Sequence, residues 1–325
     1  MPRHARLDAE GVLHHIIVRG IERRLIFRDD IDRDRFVNRM EKVFADSHTL
    51  CYAWALLPNH AHLLLKTGTV PIHRVMARVL TGHAVTFNRR HRRHGQLFQN
   101  RYKSILCQED AYLTELVCYI HLNPLRIGIV KDITGLSRYP YSGHGALMGK
   151  AAVPWQDVDH VLLHFGTTVR SARRNYLSSL ESRLARGKRP DLTGGGLLRS
   201  YGSWAEVKKS SERLKGDERI LGDTSFVKRI LSGERFSPRT AAGQVTLDDL
   251  ASRVAGLYDI SVENLRSKSR RSLTVEARSL FCFRAVRHNG FSAATVALFL
   301  NMTPPGVGYA VERGEEIARE KGHGL

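Results

Sequence analysis

Residues 12–19 (Val-Leu-His-His-Ile-Ile-Val-Arg) are rich in β-branched side chains and are closed by Gly20, which predicts a strand. Asp29, Asp30 and Asp32 then supply helix-start signals, and Phe36, Met40, Val43 and Phe44 recur at helical spacing. Two more strands are predicted over 49–57 and 60–66, parted by the turn pair Pro58-Asn59. Ile72, Val75, Met76, Val79, Leu80 and Val85 mark a helix over 71–93 that ends in a basic run before Gly95. Residues 102–107 predict a fourth strand. A helix from about Asp110 to Leu122 is expected to stop near Asn123, because Pro124 disfavours helical geometry in the residue before it. This order of elements predicts an α+β domain of the ferredoxin-like, split βαβ type with one added helix.

Beyond it the pattern loosens. Residues 125–150 read as an exit containing Gly, Pro and Tyr, residues 153–186 as helical, and Thr193-Gly194-Gly195-Gly196 as a loop. Helical patterning returns near Trp204 to Lys209 and Asp223 to Leu231. A linker is expected over 233–245, followed by a small all-helical domain over 246–320. Three parts are therefore predicted: 1–150, a mainly helical extension over 151–240, and the domain over 246–320. No internal repeat is evident.

The 325 residues are 42% hydrophobic and 26% charged, which excludes wholesale disorder. No apolar run reaches the roughly 18–20 residues that span a bilayer, no apolar leader follows the start, and no partner membrane is expected. Cys51, Cys107, Cys118 and Cys282 form no CxxC pair, so a reducing cytoplasm is the expected location. The net charge of +19 is spread along the chain: residues 1–150 carry 23 Lys+Arg and 13 Asp+Glu, the remainder 28 and 19. Excesses of +10 and +9 in the two parts favour a polyanion partner through attraction and counterion release.

Chemistry gathers at three places. His60 and His62 share one strand face in Pro58-Asn59-His60-Ala61-His62, an arrangement suited to a divalent metal. With 16 histidines, roughly one such triplet arises by chance, so the spacing alone is weak. Glu115, Tyr119 and Asn123 lie at i, i+4 and i+8 of the predicted helix, one face offering a phenol and an amide oxygen. A tyrosine so placed is more often a core residue with its hydroxyl at the edge. Between these segments, Phe87 to Lys103 interleaves aromatics and amides with Arg89, Arg90, Arg92, Arg93, Arg101 and Lys103. With Gln96 and Phe98, this is the composition of a surface that neutralises phosphates and stacks bases.

Pro-Asn-His-Ala-His, then Gln-Asn-Arg-Tyr-Lys-Ser (99–104), then Tyr-Ile-His-Leu-Asn-Pro-Leu-Arg (119–126) occur in an order that resembles the HUH single-tyrosine transposases. More narrowly, residues 1–150 resemble the branch associated with repeated extragenic palindromes (REP). The resemblance implies metal-dependent cleavage and rejoining of single-stranded DNA near hairpins through a 5′-phosphotyrosine. It places the nucleophile on Tyr119, a bound Mg²⁺ or Mn²⁺ on His60 and His62, and a third ligand on Asn123, for which Glu115 is the alternative. Pro190 to Leu197 and Lys215 to Asp223 are similar to an extension seen in one branch. Residues 247–319 are similar to the DNA-binding domain of the replication initiator DnaA, with a helix-turn-helix over 291–318. There Lys268, Arg270 and Arg271 are candidate contacts to duplex DNA, while Met302 to Gly308 replaces that family's charged base-reading run. A catalytically silent nucleic-acid-binding protein and a transcriptional regulator remain alternatives, as do monomer and homodimer.

Overall fold

The computed structural model describes residues 7–68, 70–185, 187, 192, 217, 219–232 and 246–320. The predicted loop at 193–196, helix at 204–209 and linker at 233–245 lie outside them. The chain forms two compact units, one of Met1–Val161 with Tyr176–Phe236, the other of Leu162–Asn175 with Ser237–Leu325.

The first unit is built on a five-stranded sheet. Its elements run β1 (Leu13–Arg19), α1 (Asp30–Ser47), β2 (Leu50–Leu57), β3 (His60–Lys66), α2 (Ile72–Arg90), β4 (Lys103–Cys107) and α3 (Glu109–His121). Short helices α4 (Asn123–Arg126), α5 (Ile133–Arg138) and α6 (His144–Leu147) follow. Strand order is β2-β3-β1-β4-β5, with β3 and β4 both antiparallel to β1, so the first four strands have the expected split βαβ order. Asp29 caps α1 by accepting from the Asp32 backbone N–H at 3.1 Å.

Alternation along the strands sorts the two faces. Ile16 and Val18 of β1 and Ala61, Leu63 and Leu65 of β3 join Phe36, Met40, Val75 and Val79 in the core beneath α1 and α2. The opposite face receives α3.

Helix α3 ends at His121, as expected ahead of Pro124, which itself sits in the first turn of the short α4, where an N–H would have no intrahelical acceptor anyway. The expected helical stretch contains two helices, α7 (Val158–Leu163) and α8 (Val169–Ala185). One feature departs from the sequence expectation. A short strand β5 (Ile220–Leu221) pairs in parallel with Leu106–Cys107, and α9 (Thr224–Leu231) follows it. Ile220, Phe226, Val227 and Ile230 bury Val12 and Leu106 in a small core of their own, so residues far along the chain complete the sheet.

In the second unit, α10 (Leu247–Leu257), α11 (Val262–Arg266), α12 (Ser272–Phe283), α13 (Ala293–Leu300) and α14 (Pro304–Glu320) enclose Val254, Leu265, Leu280, Phe281, Val296 and Val307. Thr246 and Asp249 form a capping box on α10. Asn301 adopts the left-handed conformation that ends α13, and Pro304 opens α14 three residues later. At the α12–α14 crossing a Cβ on Gly314 would lie 2.0 Å from the Ser279 carbonyl oxygen, so only glycine allows so close an approach.

Candidate active site

The α3-facing side of β1 and β3 carries His15, Ile17, His60, His62 and Leu64. Register sets Arg19 opposite His60, and Ile17 opposite both His62 and Lys103. The two predicted ligands are thus brought together on one face, joined there by a third histidine.

The hydrogen bonds fix each ring's tautomer. His15 Nδ1 lies 3.1 Å from the Leu192 carbonyl oxygen, which only accepts, so that nitrogen carries the proton. Neutral His15 then keeps a lone pair on Nε2, which accepts from the His62 Nδ1–H at 3.0 Å. His62 is left with its Nε2 lone pair. Asn59 Nδ2 donates to the Arg23 carbonyl at 3.1 Å, which turns Asn59 Oδ1 to accept from His60 Nδ1 at 2.6 Å. His60 Nε2 is basic for the same reason. Each of the two candidate rings therefore has Nδ1 held by a partner and Nε2 available to a cation.

Electrostatics keep these rings neutral. Burial lowers His15 and His60 to about 4, with Lys103 adding to the effect on His15 and Arg19 on His60. Burial, with His15, His60 and Arg19 nearby, holds His62 well below the ordinary imidazole value.

Tyr119 projects from α3 over this group. Its ring centroid is 5.8 Å from that of His62 and 5.9 Å from that of His15, edge-on to both. The Arg126 guanidinium lies 5.4 Å from the phenol centroid and also donates to the Gly187 carbonyl at 3.1 Å. The end of α3 is anchored from behind: the Tyr176 hydroxyl is 2.8 Å from both His121 Nδ1 and His144 Nδ1, all buried. Glu115 is ion-paired with Arg183. Asn123 donates through Nδ2 to the Tyr119 and Ile120 carbonyls at 3.0 and 3.4 Å, so Oδ1 is the atom it can offer a cation.

The basic segment divides into two kinds of residue. Arg89, Arg92, Gln96, Arg101 and Lys103 are exposed. Arg90 instead grips Asp29 at 2.6 and 2.8 Å and buried Asp32 at 2.7 Å. Arg93 donates to Asn88 Oδ1 at 3.1 Å and to the Gln96 carbonyl at 2.8 Å, shaping the turn. Phe98 is half-buried and bridges Gly20. In the second unit Lys268, Arg270 and Arg271 are all exposed in the loop joining α11 to α12.

Sequence reasoning missed His15, Asn59 and Arg126. The first has a signal, an imidazole inside a β-branched strand; Asn59 carries only a turn signal in the sequence.

Residues 9–123 match the family model described as IS200-like transposase, a span that contains His15, His60, His62, Tyr119 and Asn123. A solved structure of a REP-associated tyrosine transposase bound to a REP hairpin is similar over 49% of this chain and 93% of its own, with 20% identity and a TM-score of 0.39. No curated protein matches the chain.

Proposed function

We propose that this chain is a metal-dependent transferase of single-stranded DNA of the IS200-like kind. The observation that carries the reading is the pair of oriented Nε2 lone pairs of His60 and His62 beside the Tyr119 ring. Two neutral imidazoles and an amide oxygen fit a divalent ion, with Mn²⁺ better matched than Mg²⁺ to nitrogen donors. A cation held by His60, His62 and Asn123 would supply charge to polarise the scissile phosphate.

The protein's own groups would do the rest. A phenol titrates ordinarily near 10, so Tyr119 is a poor nucleophile unless its target is held in line. Attack forms the Tyr119 Oη–phosphorus bond and breaks the bond from phosphorus to the 3′ oxygen. The phenolic proton passes to solvent and the departing 3′ oxygen takes one up. The phosphodiester count is conserved, so another 3′-hydroxyl can later displace Tyr119 without a nucleotide cofactor. Exposed Arg89, Arg92 and Arg101 suit phosphates leading into the site. Choice of hairpin-flanking strands rests on the motif resemblance to the REP-associated branch.

Incubation with labelled hairpin-flanking single strands and Mn²⁺ should yield an SDS-resistant adduct with the wild-type chain and none with Tyr119→Phe. Cleavage that survives Tyr119→Phe would refute the assignment of the nucleophile.

For the second unit we propose binding to duplex DNA, supported by exposed Lys268, Arg270 and Arg271 on one loop. Replacing all three by Ala should reduce the slope of log K against log salt by about 0.9 for each phosphate no longer neutralised. An unchanged slope and affinity would remove this role.

A further inference from the structure

Beyond residue 123, where the match to the family model ends, α8 returns to α3 and grips it at two points. Tyr176 meets His121, two residues after Tyr119. Seven residues along α8, Arg183 is ion-paired with Glu115, four residues before Tyr119. The partners come in reverse order along α3, so the two helices run antiparallel there, with the contacts about 10 Å apart. No step of the strand transfer uses Tyr176.

The direction of every hydrogen bond at the first contact is fixed. The Ser137 hydroxyl donates to the Ile133 carbonyl at 3.1 Å, so its oxygen accepts from His144 Nε2–H at 3.0 Å. Burial lowers His144 to about 4 and holds His121 well below the ordinary imidazole value, so both rings are neutral. Neutral His144 then keeps a lone pair on Nδ1, which accepts from the Tyr176 O–H at 2.8 Å. The same phenol oxygen accepts from His121 Nδ1–H at 2.8 Å. Tyr176 is thus donor to one buried ring and acceptor for the other, and it ties α3 through His144 to α5 and α6.

What these contacts control is the roll of α3 about its axis. Residues two apart on a helix point about 160° from each other, so His121 faces away from Tyr119 and holds the helix from the far side. Positions four apart lie within about 40°, so the Arg183–Glu115 pair holds the flank that Tyr119 shares. A roll of about 10° carries an atom ~6 Å from the axis through about 1 Å. Misplacement by that much costs on the order of 100-fold in rate. Arg126, over the Tyr119 ring, is tied to the same stretch, donating to the Arg183 and Gly187 carbonyls at 3.4 and 3.1 Å.

We propose that Tyr176 is a positioning residue for strand transfer: its hydroxyl, held between His121 and His144, sets the roll of α3 and so the line along which the Tyr119 oxygen attacks. The assignment rests on the strand-transferase reading for its reaction, and it gives a segment beyond the family match a part in the chemistry.

The test compares the full wild-type chain with Tyr176→Phe in single-turnover adduct formation on a labelled hairpin-flanking strand with Mn²⁺, at a temperature where melting curves show both folded. Tyr176→Phe should lower the maximal rate at saturating strand about 10- to 100-fold. The half-saturating strand concentration and the Mn²⁺ affinity should stay within about twofold, a split that general loosening of the fold would not produce. Amide hydrogen exchange should rise over residues 117–122 and stay unchanged over β1 and β3. His121→Phe is the milder variant, because the Tyr176 O–H keeps its bond to His144. It should lower the rate alone in the same way, and adding Tyr176→Phe to it should cost little more, since the two act as one unit. A wild-type rate in either folded variant would overturn the proposal, as would rate, strand affinity and Mn²⁺ affinity falling together. A wild-type chain that forms no adduct, with exchange still raised only at the end of α3, would sink the transferase reading and keep the brace. Adduct formation undisturbed by Tyr176→Phe would do the reverse.

Discussion

Replacing His15 tests the tautomer scheme most directly. In His15→Phe a ring of similar size fills the space, and the His62 Nδ1–H loses the acceptor now 3.0 Å away. His62 is 3% exposed, so water cannot replace that acceptor. An unsatisfied buried donor costs about 1–3 kcal/mol. The ring can relieve this by moving its proton to Nε2, which removes the lone pair offered to the cation. Either route should weaken Mn²⁺ binding about 10- to 100-fold, the usual effect of losing an orienting partner. His15→Gln should restore most of the affinity, since its amide oxygen can accept from His62 while its N–H₂ donates to the Leu192 carbonyl. Titration of the full chain with Mn²⁺, followed by electron paramagnetic resonance of the free ion, reads the affinity; thermal unfolding in chelator separates it from stability. Mn²⁺ binding by His15→Phe equal to wild type would refute the scheme, as would Gln no better than Phe.

Two further outcomes are expected. His14, His15, His60 and His144 lie at about 4 in the folded chain, chiefly through burial, against an ordinary 6.5. Between these values the unfolded chain binds protons the folded chain does not, so stability is lost as pH falls through that window, by up to about 1.4 kcal/mol per unit for each histidine. Asp29, held by Arg90 at about 2, and Glu109, buried but bonded to His160 and Lys66 and also at about 2, continue the loss from about pH 4 downward. Melting curves without metal should show Tm dropping from pH 6.5 to 4.5, and a flat profile would contradict the buried neutral histidines. Arg90→Ala should lower Tm, because Asp29 and buried Asp32 lose a shared partner, while Arg89→Ala should weaken single-strand binding and leave Tm in place. Equal loss of DNA affinity in the two variants, with no change in Tm, would show that Arg90 contacts phosphate after all.

The split βαβ order was legible because each element carries its own local signal. Asp29 announces α1, Pro58-Asn59 the β2–β3 turn, and the alternation of side chains along a strand the shared face of Leu63 and Leu65, even though β3 is buried on both faces. The same alternation that turns Leu63 to one face commits His60 and His62 to the other, so the pair could be placed from sequence without knowing what lies opposite. What lies opposite is non-local and left no periodic trace. His15 meets His62 across 47 positions and Leu192 across 177, and nothing in either short segment encodes the other. Strand β5 escaped notice for a related reason. Two residues paired to Leu106–Cys107 are too few to show alternation, and their stability comes from Phe226, Val227 and Ile230 closing over them. Arg90 shows the converse limit: composition placed it among six basic residues suited to phosphate, yet Asp29 and Asp32, about sixty positions earlier, claim it. Local pattern thus predicts which face a residue occupies, while the partner that decides its proton or its charge is set only when distant strands meet.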